Sequence, residues 1–180
     1  MAHKKPVDPN GKHIRIYCTL LNSPAYRVLS FSAIALYFAL RSLLNGSNNG
    51  DVSAVLPDLR HKGFTSSATI SRALYELRVM GFIAVTRMGG LKQKTRVCTL
   101  YRFTDLEVFS FPKKGIQPMK ATHDYMKFQS VRDAEIALRD GVELLIAEGR
   151  KKQLSKQGRK NIPVQNLNCI SSITEPKDKI

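Results

Sequence analysis

The chain has 180 residues, 43% hydrophobic and 24% charged, with a formal net charge of +15. That length admits one domain with extensions or two small ones, and that apolar content supports a packed core, which excludes a chain disordered throughout. The cation excess points to a polyanionic partner such as nucleic acid.

Cys18, Cys98 and Cys169 lie far apart, with no CxxC pair and no metal-ligand spacing, as suits a reducing cytoplasm. Met1–Lys12 is polar with two prolines and has no secretory pattern. The longest apolar run, Ala33–Leu40, is far below the roughly 20 residues that span a bilayer. A cytoplasmic, nucleoid-associated protein is expected, with no membrane partner, cofactor or metal.

Residues 1–13 read as a flexible basic arm with Lys4, Lys5 and Lys12. Ile14–Leu21 suits a short strand or a short helix. Ser23-Pro24 opens a short helix, because proline is tolerated in a first turn. Ser30 or Ser32 can cap the next helix, in which Ile34, Leu36, Tyr37, Leu40, Leu43 and Leu44 cover most of one side. Asn45-Gly46-Ser47-Asn48-Asn49-Gly50 ends it. It reads as a structural turn rather than a phosphate loop, since the P-loop lysine and Ser/Thr are absent.

Asp51–Val55 fits a small first strand. Leu56–Phe64 reads as a short helix closing on Gly63. Thr65, Ser66 and Ser67 offer hydroxyls at a helix start, and Ala68–Met80 places Ile70, Ala73, Leu74, Leu77 and Met80 on one face before Gly81 stops the helix. Phe82–Thr86 and Val97–Tyr101 then flank a loop carrying Gly89, Gly90, Lys92 and Lys94. Helix, turn, helix and basic hairpin in this order describe a winged helix-turn-helix. The fold class expected is α+β, mainly helical, with a three-stranded sheet over residues 14–109. Ile34, Leu40, Leu59, Ile70, Leu74, Leu77, Ile83 and Leu100 are expected in one core.

Residues 110–129 read as a linker, with Pro112, Lys113, Lys114, Gly115 and Pro118. Residues 130–153 read as a helical extension, in which Val131, Ala134, Leu138, Val142 and Leu145 recur every three or four positions. That stripe, residues 131–145, is either a homodimer interface or a face packed on its own domain. Gly141 weakens this helix. Residues 154–180 read as a basic, disordered tail.

Such a unit sets one helix in the DNA major groove and a hairpin on the backbone beside it. With Ile70 at the centre of the buried face, Ala68, Arg72, Tyr75, Glu76 and Val79 point away, and Ser67 and Ser71 lie on the flank. Thr65, Ser66, Ser67 and Ser71 can bond base or phosphate, and Arg72 can make a bidentate contact with guanine. The serines also suit helix capping. Tyr75 can lie on the sugar-phosphate backbone or against the hairpin. Arg87, Lys92, Lys94 and Arg96, with Arg102, form a run without an acid that can neutralise phosphates. Gly89-Gly90 is expected to loosen the hairpin tip.

The segments Ser23–Ser30, Ala35-Leu36-Tyr37, Asn45–Gly50, Ser67–Leu77 and Gly81-Phe82-Ile83 resemble a group of small bacterial winged helix-turn-helix proteins. Those proteins are found on chromosomes, plasmids and integrated elements. The resemblance covers roughly residues 20–105 and implies binding of double-stranded DNA without specifying an operator. A sequence-specific transcriptional regulator is the function expected. The alternatives are a plasmid or phage replication initiator or accessory protein and, in another class, an RNA-binding or structural adaptor. An enzyme is not expected. His3, His13, His61 and His123 are isolated, and Asp133, Glu135 and Asp140 suit pairing with Arg132 and Arg139 on a solvated face.

Overall fold

The structure, a computed structural model, describes residues 9, 11–92 and 95–160; for 91–92, 95–96, 145–146 and 148–160 it describes the backbone alone. Lys94 and residues 161–180 of the expected tail therefore lie outside the described residues, as does most of the basic arm. The chain divides into two compact units, Met1–Leu144 and Leu145–Ile180. The first is α+β with a three-stranded antiparallel sheet. In the second, the described backbone is helical through Lys160, so the helix covers residues 154–160, where disorder is expected from composition.

Ile14–Leu21 resolves into irregular chain followed by α1 (Cys18–Leu21). In α2 (Pro24–Arg27), the Ser23 hydroxyl accepts from the Tyr26 N–H at 3.3 Å and Pro24 fills the first turn. In α3 (Phe31–Arg41), Ser30 is the cap, accepting from Ala33 N at 3.2 Å. The asparagine-rich turn leads to β1 (Val52–Ser53). Next, α4 (Leu56–Leu59) runs into a 3-10 turn over Arg60–Lys62, which ends on Gly63 with φ +91°. Then come α5 (Ser67–Val79), β2 (Ile83–Arg87), β3 (Gly90–Lys92), β4 (Thr95–Val97), β5 (Leu100–Phe103) and α6 (Val131–Lys160).

The sheet order is β1-β5-β2, all antiparallel, so the small first strand pairs with the returning hairpin strand. The loop expected between the hairpin strands is itself paired, as a separate β3–β4 ribbon, and the register shifts between Val85 and Arg87. Gly89-Gly90 therefore lies at the base of this ribbon and not at its tip. A Cβ on Gly89 would sit 2.5 Å from the Thr99 nitrogen, so glycine is needed there for close approach of two backbones.

The core joins Leu36, Tyr37 and Leu40 of α3, Leu59 of α4, Ile70, Ala73 and Leu77 of α5, and Phe82, Ile83 and Phe103. Each such large side chain contributes about 1.5–3 kcal/mol through burial. Three members of the expected core differ. Ile34 and Leu74 are half-buried at its margin. Leu100 belongs to a second cluster with Val108 and Ile116, because strand alternation turns it away from the face that carries Phe103.

Residues 110–129, expected as a linker, fold back on this body. Val108 bridges Met119, Phe111 bridges Ile116, and the Thr122 and His123 N–H groups donate to Thr104 O at 2.8 and 3.0 Å. The Tyr125 ring stacks on Phe82 at 5.5 Å. Isolated apolar residues among prolines and lysines supply this packing, without any periodic signal.

Two buried polar anchors hold the body closed. Arg41 of α3 donates both terminal nitrogens to Asp105 at 2.7 Å, with both side chains 5% exposed, and its guanidinium lies 5.0 Å from the Phe103 ring centre. The Asn49 amide bonds the carbonyls of Phe103, Leu106 and Glu107, while its oxygen accepts from Phe103 N at 2.7 Å. The turn residues Asn45–Gly50 are thus occupied structurally.

The stripe on α6 is also used within the chain. Ala134 is fully buried, and Ala137 and Leu138 pack against the main cluster. Of the two roles open to residues 131–145, the structure displays packing on the same domain, and that part of the face is covered. Leu145 has no described side chain.

Candidate nucleic-acid interface

The placement of α5 decides which residues can meet a ligand. Its inner face carries Ile70, Ala73, Glu76 and Leu77, all buried. Thr65, Ser66, Ser67, Ser71 and Arg72 are exposed and Tyr75 is half-buried. Ser66 is the N-cap residue by backbone conformation, yet its side chain makes no capping hydrogen bond. Its hydroxyl, with those of Thr65 and Ser67, therefore lines an uncovered helix start. Ala68 and Thr69 are exposed there too.

Glu76 departs from the outward placement expected for it. It is 3% exposed, and its Oε2 accepts from the Ser30 N–H at 3.1 Å. Ser30 begins α3, where free N–H groups and the helix dipole attract a carboxylate. The other oxygen, Oε1, lies 3.5 Å from Arg72 Nε. Arg72, 71% exposed, is thereby drawn toward the rear of α5 and borders a groove with Arg27, Glu135 and Arg139.

The flank carrying Tyr75 and Val79 is partly covered, both side chains being half-buried. Gly141 of α6 abuts it so closely that a Cβ there would be 2.8 Å from Tyr75 Oη and 3.2 Å from Val79 Cγ2. The glycine expected as a weak point in α6 is where the two helices meet.

The open face of α5 thus runs through Ser67, Ser71 and Arg78, spaced four and seven residues apart and within roughly 40° of one another around the helix. Arg78 is exposed and is absent from the contacts expected from sequence; its place in the same spacing as the two serines was the available signal. It stands beside β5. The Tyr101 hydroxyl has its pKa raised by burial, an effect that Arg78 partly opposes.

The hairpin cations divide. Arg87 is half-buried at the register shift, with its Nε buried and without a hydrogen-bond partner. Lys92 and Arg96 occupy β3 and β4, where Lys92 is in register with Thr95 and Arg96 with Leu91. Arg102 leaves the expected basic run. It is buried, donates to Thr122 Oγ1 at 3.1 Å and lies 3.8 Å from Asp124.

No helix among the described residues is long and apolar enough to cross a membrane. Comparison with known proteins gave no matching family model, no significant match among curated proteins and none among solved structures.

Proposed function

We propose that this protein is a sequence-specific double-stranded DNA-binding protein that regulates transcription, built on a winged helix-turn-helix. The element order α3, β1, α4, α5, β2, β5 and the strand order β1-β5-β2 support that architecture. The observation that carries the function is the N-terminal half of α5. Its inner face is core, whereas Thr65, Ser66, Ser67 and Ser71 stand exposed around a helix start with no side-chain cap. Free main-chain N–H groups there favour phosphate, and hydroxyls bond base edges.

The packing of α6 restricts how such a helix enters DNA. The major groove is about 12 Å wide, a helix with its side chains about 10–12 Å across, and packed helices lie about 8–10 Å apart. The groove therefore has no room for α6 at the point where Gly141 meets Tyr75 and Val79. In this reading α5 enters by its N-terminal turns, with Ser67 and Ser71 foremost. Arg72 and Tyr75 take supporting positions, and the charge that Arg87, Lys92, Lys94 and Arg96 give the hairpin sequence favours the phosphate backbone.

Selection of bound duplexes from a random pool at near-physiological salt tests this reading. A consensus sequence is the expected outcome. Structured RNA that outcompetes every duplex at equal salt would instead assign the basic surface to an RNA-binding adaptor.

A further inference from the structure

The open face of α5 continues into a second feature that the helix-turn-helix reading does not use. A groove of about 570 Å³ runs between the C-terminal half of α5 and strand β2, lined by Tyr75 and Arg78, by Ile83 and Val85 of β2 and, from the far side, by Asp124 and Lys127. Arg78 and Lys127 are both exposed. Asp124 is the single acid in the lining, and Arg102 lies 3.8 Å from its carboxylate.

Strand β2 is the edge of its sheet. Thr104 N donates to Phe82 O at 3.1 Å and Ala84 is in register with Arg102, so Ile83 and Val85, one step out of phase, direct their main-chain N–H and C=O groups to the open edge. The groove therefore combines two cationic side chains with main-chain donors, a set that suits phosphate oxygens. Lys127 lies on an anchored turn, with its Nζ 4.8 Å from the Phe128 ring centre. It ends a 3-10 turn over Asp124–Lys127, anchored by Tyr125 on Phe82 and by the close approach of Gly81 to the Asp124 backbone.

We infer that this groove binds the phosphate backbone of the nucleic acid, with Arg78 and Lys127 as its two cations. The inference rests on the DNA-binding reading above and deepens it. The strand of DNA flanking the major groove passes from the N-terminal turns of α5 across Arg78 to Lys127. The segment after the hairpin thus becomes part of the interface.

The test is fluorescence anisotropy of the full chain with a mixed-sequence duplex of about 25 base pairs over a salt series. Lys127→Ala and Arg78→Ala should each lower the slope of log affinity against log salt by about 0.9. The double variant should lower it by about twice that, and Lys127→Arg should keep the wild-type slope. Thermal melting confirms that the variants fold. Wild-type binding with unchanged slopes in both alanine variants overturns the groove assignment alone. Absence of salt-dependent duplex binding by the wild type overturns the DNA reading and the groove with it. If Lys127→Glu abolishes binding of poly-glutamate but leaves the duplex slope intact, the groove holds an acidic protein segment and the assignment falls.

Discussion

Replacing Glu76 with alanine should destabilise the fold by about 2–4 kcal/mol, although glutamate on a helix is ordinarily a surface residue. The carboxylate is 3% exposed and accepts the Ser30 N–H at 3.1 Å. A hydrogen bond to a charged group contributes about 1.5–3 kcal/mol, and a carboxylate at a helix start about 0.3–2 kcal/mol, partly the same energy. The Arg72 pair adds little, since an ion pair with one exposed partner contributes at most about 1 kcal/mol. Glu76→Gln retains an acceptor for Ser30 and loses the charge, so its cost should be about 1 kcal/mol. Arg72→Ala should cost under about 1 kcal/mol. Urea unfolding followed by far-ultraviolet circular dichroism measures all three, with a constant m value marking an unchanged unfolding transition. An alanine variant within about 0.5 kcal/mol of wild type would refute the capping role, as would a glutamine variant as damaged as the alanine one.

Asp105→Ala strands the Arg41 guanidinium in a 5%-exposed site and should cost about 3–5 kcal/mol by the same unfolding assay; joint replacement of Arg41 and Asp105 by apolar residues should recover much of it. Gly81→Ala should lower the melting temperature sharply, because φ is +79° and the new Cβ would lie 2.6 Å from the Asp124 carbonyl carbon. Tyr37→Phe should be neutral or stabilising by up to about 1 kcal/mol in urea unfolding, since the buried hydroxyl it removes has no hydrogen-bond partner.

The parts legible in the sequence were those with a period. The apolar spacing of Ile70, Ala73 and Leu77 marked the inner face of α5, and Ser30 and Gly63 marked ends that the structure keeps. Asp51–Val55 read as a small strand, and β1 lies within it at Val52–Ser53. The losses have a common cause: they depend on residues distant in the chain. Glu76 turns inward because Ser30, 46 positions earlier, presents an N–H to it. Val108, Ile116 and Tyr125 are too scattered to show a period, yet each is buried. Gly89 and Gly141 have the composition of loose points, whereas both serve close approach. For the proposed interface, the hydroxyls of Thr65, Ser66 and Ser67 at the start of α5 were readable, and the structure leaves them exposed. The covering of Tyr75 by α6 was not readable, because an apolar stripe does not name the surface it packs against.

The asparagine-rich turn also sets how this protein ages. Asparagine followed by glycine is prone to deamidation, in which the next backbone nitrogen attacks the side-chain amide and an acidic residue remains; asparagine is accordingly counted among thermolabile residues. The turn holds two such steps, Asn45-Gly46 and Asn49-Gly50. Asn45 uses its side-chain oxygen, accepting from the N–H groups of Ser47 and Asn48. An aspartate there would accept the same bonds. Asn49 uses its nitrogen, donating to three carbonyls in a buried site. An aspartate at that position would set a negative charge against those carbonyl oxygens and open the link between the turn and β5. The same chemical lesion is therefore tolerable at one step and disruptive four residues later.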